Sequence, residues 1–220
     1  MSRWLRWGSY AATALILLVI GAALRPVVLP EKHTAAPVLD TTEIGFAQDM
    51  TAHHQQAIQM VQRLDPGVDP QVSRLAQQID QSQRVEIGTM LGWLRLANAA
   101  PMSEHPMAWM TAETVATHHH SMSGPSTTPA VTAPVAMMPG MASTAELDRL
   151  SAARGRDAEV LFLQLMYRHH QGGIAMARAA DRQIASGAVK EQARAMLVAQ
   201  SQETGLIALL LNQRGAQPLP

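Results

Sequence analysis

Phe46-Ala-Gln-Asp-Met-Thr-Ala-His53-His54-Gln-Gln-Ala-Ile-Gln-Met60 returns 116 positions later as Phe162-Leu-Gln-Leu-Met-Tyr-Arg-His169-His170-Gln-Gly-Gly-Ile-Ala-Met176. Phe, Gln, Met, His, His, Gln, Ile and Met recur at equal spacing, so the chain reads as two copies of one unit. A second block follows each copy. Leu75-Ala76-Gln-Gln-Ile79, Gln83-Arg-Val-Glu86 and Leu94 correspond to Gln192-Ala193-Arg-Ala-Met196, Gln200-Ser-Gln-Glu203 and Leu211, with the offset grown by one. That extra residue falls in the turn between two helices, where an insertion costs little. Each unit is therefore a helical hairpin. Two hairpins that share an apolar core make a four-helix bundle, whose sites are built by inward-facing side chains.

The spacing within the motif supports this. Phe46, Met50, His53, Ala57, Met60 and Leu64 fall at steps of four and three, one stripe down a core-facing helix. Phe162, Met166, His169, Gly173, Met176 and Ala180 repeat it. His54 and His170 sit about 100° further round, beside Ile58 and Ile174. Imidazole and thioether one turn apart, brought together twice, offer a soft monovalent ion two to four donors. Copper(I) suits that set best, because hard cations want oxygen and zinc takes His, Cys or carboxylate. The central ligands are then His53, His169, Met50 and Met166, followed by His54, His170, Met60 and Met176. Glu86 and Glu203 are read as partners that orient His53 and His169. The plainer alternative is that the histidines are hydrogen-bonded core residues, satisfied by Gln164, Glu86 or Glu203, and that the methionines are packing.

Composition agrees with helices. The 220 residues are 47% apolar and only 4% aromatic, with net formal charge zero and no cysteine. Three of the 17 bases, Arg3, Arg6 and Arg25, precede the first acid, Glu31, leaving 14 bases against 17 acids beyond it. No basic field argues for nucleic acid. Arg3 and Arg6 precede an uncharged stretch from Gly8 to Leu24, which reads as an export segment. Trp4, Trp7 and Arg25 favour an uncleaved anchor, and Gly21 and Ala23 favour a cleaved signal; either places the bundle outside the cytoplasm. There, without thiols, soft-metal binding falls to the 14 Met and nine His residues.

The expected organisation is a signal segment over 1–30, a linker over 31–40, a first hairpin over 41–97, a crossover over 98–142, a second hairpin over 143–215 and a tail over 216–220. Asp40-Thr-Thr-Glu43 and Ser143-Thr-Ala-Glu146 read as capping boxes. Asp69-Pro70 restarts the chain after Asp65-Pro66-Gly67. One helix is expected from the second box to about Arg182, and Gly215 suits the position past the last helix. The crossover holds eight Pro or Gly residues, room for a short helix near Met107 to His118, and a donor-rich run of His118, His119, His120 and Met122 that forms a second candidate metal site.

The paired-histidine helix, the Gln-x-x-Glu second helix and the duplication resemble the domain-of-unknown-function family numbered 305, a ferritin-like group of mostly exported bacterial proteins. Phe46, Met50, His53, His54, Ile58, Met60, Gln83 and Glu86 carry the resemblance in one copy. Phe162, Met166, His169, His170, Ile174, Met176, Gln200 and Glu203 carry it in the other. It spans about 43–97 and 146–213. It implies a helical bundle and, by analogy with some relatives, extracytoplasmic copper binding linked to metal tolerance. The partners expected are the metal ion, the membrane through the amino-terminal segment, and a copper-transfer partner or a second copy of the chain. Gly172 and Gly173, where the first copy has Gln56 and Ala57, and Thr204, where it has Ile87, depart from strict repetition.

No enzyme class finds its motif. No Glu has His three residues on, as di-iron bundles require, and Gly-x-Ser-x-Gly and His-Glu-x-x-His are absent. Non-covalent haem held by Met and His is the rival cofactor reading. A metal-free bundle for adhesion or signalling is the third.

Overall fold

The computed structural model describes Thr13, residues 15–20, residues 37–110 and residues 138–219. The chain divides into two units, 1–37 and 38–220, and the second holds the bundle. Its helices are α1 (Thr41–Gln62), α2 (Pro70–Leu96), α3 (Thr144–Ala152), α4 (Gly155–Gln183) and α5 (Ala188–Gln213), with no strand among the described residues.

Local chemistry sets the boundaries. The Asp40 carboxylate accepts from Glu43 N, and the Glu43 carboxylate accepts from Asp40 N, both at 2.8 Å. Ser143 and Glu146 close the same box at α3. Asp69 caps α2 through Gln71 N at 2.7 Å, with Pro70 at the first helical position. Gly215, at φ 63°, follows α5.

One helix expected from Ser143 to Arg182 is instead two. Ala153 and Arg154 are extended, and α4 starts afresh at Gly155, whose φ of 50° suits glycine. The Gly155 amide donates to Asp65 Oδ2 at 2.7 Å, so the break is tied to the turn after α1. The segment from Met107 to Met110 is likewise no helix but a turn, with hydrogen bonds from Ala108 N to His105 O and from Met110 N to Met107 O. The rest of that expected helix lies outside the described residues.

Of the expected amino-terminal apolar helix, Thr13 and residues 15–20 are helical, and Leu15 to Ile20 are exposed. Its remaining residues lie outside those described. Among the described residues, no helix is long and apolar enough to cross a membrane.

The hairpins are α1 with α2 and α4 with α5, and α1 packs on α4. The core falls into two clusters. One gathers Phe46, Met50, Met90, Leu94, Met176, Val189, Ala193 and Met196. The other gathers Phe162, Met166, Ile207, Leu211, Met60, Val72, Ala76 and Ile79. Each residue of the second set is the repeat equivalent of the one at the same place in the first. The motif helices therefore run antiparallel about a pseudo-twofold axis, which exchanges the two ends of the core. His53 and His169, whose ring centroids are 3.8 Å apart, lie on that axis between the ends.

Candidate functional site

The site is the polar layer at the waist of the bundle. His53 and His169 face across the α1–α4 seam and stack at an interplanar angle of 32°. His169 Nε2 lies 3.0 Å from the carbonyl of His53, and His53 Nε2 lies 3.1 Å from the carbonyl of Pro139. A carbonyl only accepts, so both rings carry their proton on Nε2. Each Nδ1 then keeps a bare lone pair.

His54 and His170 turn toward the second helix of their own hairpins. His54 Nε2 meets Glu86 Oε2 at 2.6 Å, and His170 Nε2 meets Glu203 Oε2 at 2.8 Å. The expectation that Glu86 and Glu203 would orient His53 and His169 is corrected here. The central rings lie in the seam between hairpins, out of reach of those carboxylates, whereas the 100° step carries the neighbouring ring onto α2 or α5. Gln164 serves none of them, since its Nε2 donates to Gln217 O. Glu86 Oε1 also accepts from Gln192 Nε2 at 3.2 Å, joining the hairpins.

Burial dominates the electrostatics. Desolvation pushes His53 down to about 3, helped by the neighbouring His54, and holds His169 well below the ordinary imidazole range, helped by His53 and His170. The stacked pair is therefore neutral at physiological pH. All four Nδ1 atoms, of His53, His54, His169 and His170, are buried without a hydrogen-bond partner, as are Gln83 Oε1 and both side-chain polar atoms of Gln200. Orphaned buried polar atoms cost about 1–3 kcal/mol each, so a native layer that keeps this many calls for an explanation.

The motif methionines fall into two pairs. Met50 lies with Met176 at one end of the core and Met166 with Met60 at the other, all fully buried. The antiparallel crossing places Met50 and Met166 in different clusters, on opposite sides of the axial histidines. Each end instead offers its own pair, flanking the imidazoles. Among the described residues, no group of three or more His, Cys, Asp or Glu side chains is placed to hold a metal. His118, His119, His120 and Met122 lie outside the described residues.

The repeat did not reveal the strap that covers the waist. Gln56 Nε2 donates to Ala142 O at 2.8 Å, and Ala142 N donates to Gln56 Oε1 at 2.7 Å, which pins the end of the crossover to α1. A Cβ on Gly172 would run into the Pro139 carbonyl, and one on Gly140 into the Arg168 carbonyl. Gly172 replaces the first copy's Gln56 because the strap passes there. Gly173 makes room for the Gln200 side chain in the same way. The departure from repetition at 172–173 was the available signal.

A second covering element closes one end of the core. Asp49 Oδ2 accepts from Met107 N at 2.6 Å and from Trp109 Nε1 at 2.8 Å, and Trp109 meets Phe46 edge-on at 5.5 Å. Gly45 lies so close to Trp109 that a Cβ would stand 2.8 Å from the indole. Burial pushes the Asp49 carboxyl up, and these two donors oppose that shift.

Residues 43–211 match the model of the family described as "Domain of unknown function (DUF305)". A crystal structure named "putative secreted protein DUF305", from Streptomyces coelicolor, is similar with a TM-score of 0.67 and 37% identity, covering 81% of this chain and 96% of that one. A DUF305 fragment from Deinococcus radiodurans is similar with a TM-score of 0.60 and 28% identity, covering 79% of this chain and 97% of that one. No curated protein matches the sequence. On the matched motif helices, the duplicated bundle and these likenesses, the chain belongs to the DUF305 family.

Proposed function

We propose that the protein binds copper(I) outside the cytoplasm, as a buffer, chaperone or tolerance factor. The observation that carries this reading is the set of four imidazole Nδ1 atoms buried at the waist without a hydrogen-bond partner. Neutral imidazole is the form that ligates a metal, and burial keeps His53 and His169 in that form. Copper(I) accepts few donors and takes imidazole with thioether, so it needs no cluster of three acidic or imidazole groups. Met50, Met60, Met166 and Met176, on the same helices as the histidines, are the nearest soft donors in sequence. Glu86 and Glu203, hydrogen-bonded to His54 and His170, fix those rings and leave their Nδ1 atoms for a ligand.

The exported location rests on the apolar amino-terminal segment and on likeness to the Streptomyces protein named as secreted. Retention of that segment as a membrane anchor is part of the same proposal.

The test is a competition titration of the full chain in detergent with copper(I) against a chromogenic chelator. His53→Gln with His169→Gln keeps an N–H donor near each carbonyl and removes the Nδ1 lone pairs. Affinity should fall at least tenfold, about 1.4 kcal/mol. Unchanged affinity would leave the waist a hydrogen-bonded structural layer.

A further inference from the structure

The pseudo-twofold axis supplies an internal control on what core packing demands. Position 90 on α2 is equivalent to 207 on α5, and position 79 on α2 to 196 on α5. At one end of the bundle these places hold Met90 and Met196, and at the other Ile207 and Ile79, all buried within the two equivalent clusters. The slots therefore accept isoleucine. Methionine costs more side-chain entropy to order and specifies a core less sharply, so packing alone gives no reason for the difference.

The methionine end goes further. Met50 and Met176 belong to it as members of the repeated motif, and the covering turn adds Met107 and Met110, each 7% exposed. Met138, from the strap, packs against the same cluster. Seven methionines from six segments thus belong to the cluster at one end, against Met60 and Met166 at the other. Met107 is held at φ 67°, a conformation that non-glycine residues seldom adopt. The Asp49 carboxyl holds it there through the Met107 amide. Among the described residues, that carboxyl is 2% exposed and takes only N–H donors, with no cationic partner.

We infer that this end of the core is a second, thioether site for a soft monovalent cation, separate from the histidine waist, with Met90, Met107, Met110 and Met196 as its distinguishing ligands. Thioether sulfur favours soft ions over hard ones. Asp49, beside Met50 and bonded to the backbone of Met107, supplies acidic character without occupying a sulfur. Met107 and Met110, in the covering turn and each 7% exposed, and the partly buried Met138 are the donors an arriving ion meets first. The site stands independently of the histidine reading, since none of its four distinguishing ligands lies on a motif helix.

Silver(I) nitrate in chloride-free buffer is the probe, added to the full chain in detergent with its methionine methyl groups labelled with carbon-13. The methyl signals of Met90, Met107, Met110 and Met196, assigned by single Met→Leu replacements, should shift on addition of silver(I). The quadruple Met→Leu variant, nearly volume-conserving, should lose at least tenfold in affinity for one equivalent, whereas His53→Gln with His169→Gln retains that equivalent. Silver that leaves all four methyl signals unmoved overturns the site, whether or not the quadruple variant folds. A folded quadruple variant that binds silver like the parent overturns it as well. Uptake lost only with the histidine variant would sink this site and leave the waist standing, and the copper(I) titration of that variant tests the waist separately.

Discussion

At one end of the core, Phe46 is roofed by Trp109 and surrounded by methionine; at the other, its equivalent Phe162 sits with Ile79 and Ile207, and among the described residues no aromatic ring pairs with it. Phe, Val, Ala and Leu are kept at both ends: Phe46 with Phe162, Val189 with Val72, Ala193 with Ala76, and Leu94 with Leu211. The backbone that duplication laid down is therefore preserved by a few invariant contacts, while other places are free to change chemistry. Between the ends, the waist keeps its histidines on both sides. Among the divergent places are the methionine positions of one end and the glycines that face the strap and Gln200.

The waist belongs to neither end, and acid tests it with the largest effect. His53 and His169 have folded-state pKa values below the 6.5 of an ordinary imidazole, with His54 and His170 as the facing titratable groups. The unfolded chain therefore binds more protons than the fold between about pH 6.5 and the folded values, about 3 for His53. Stability of the metal-free protein is complete above pH 6.5 and falls as pH drops through that window. Each neutral imidazole removes up to about 1.4 kcal/mol per pH unit. Urea unfolding at a series of pH values reads the slope. A flat profile from pH 6.5 to 4.5 would mean that the waist opens without cost and does not divide the ends.

Next in size come the two phenylalanines. Phe46→Ala and Phe162→Ala should each cost about 3–5 kcal/mol, as fully buried rings do. Phe46 should cost more by about 0.5–1.5 kcal/mol because it also loses the edge-on Trp109 contact. Equilibrium unfolding of the two variants under identical conditions measures the difference. A larger loss at Phe162 would reverse the ranking and make the methionine end the looser one.

Much of this was legible in the sequence. The duplicated stripe gave hairpins and bundle, because a four-and-three spacing of apolar residues has one structural meaning. Asp40 with Glu43, Ser143 with Glu146 and Asp69 with Pro70 marked helix starts, because capping chemistry is local. What stayed hidden was long-range. The antiparallel crossing that parts Met50 from Met166 depends on how two hairpins dock, which no spacing within either one encodes. The Pro139 carbonyl on His53 and the Ala142 backbone on Gln56 come from a segment 86 residues away in sequence. The break at Ala153–Arg154 was missed because Asp65, which ties it down, is equally remote. Gly172 and Gly173 were visible as departures, and only the strap and Gln200 explain them.

The smallest effect asks whether the two ends are equally firm on their outer surface. Gly88 on α2 and Gly205 on α5 are repeat equivalents, both exposed within helices, and a Cβ at either would meet nothing within 4 Å. Alanine there should stabilise by about 0.5–1 kcal/mol, chiefly by narrowing the unfolded ensemble and improving helix propensity. That gain arises in the unfolded chain and the local helix, so it should be the same for Gly88→Ala and Gly205→Ala despite the different cores beneath them. Paired thermal unfolding measures it. A gain at one position only would show that its partner helix frays before the bundle melts, since a residue in a helix already open collects no benefit. Loss of the gain at Gly88 would place that fraying on α2, and loss at Gly205 on α5. Equal gains would confine the contrast between the ends to the interior, where Met90 and Met196 stand at one end and Ile207 and Ile79 at the other.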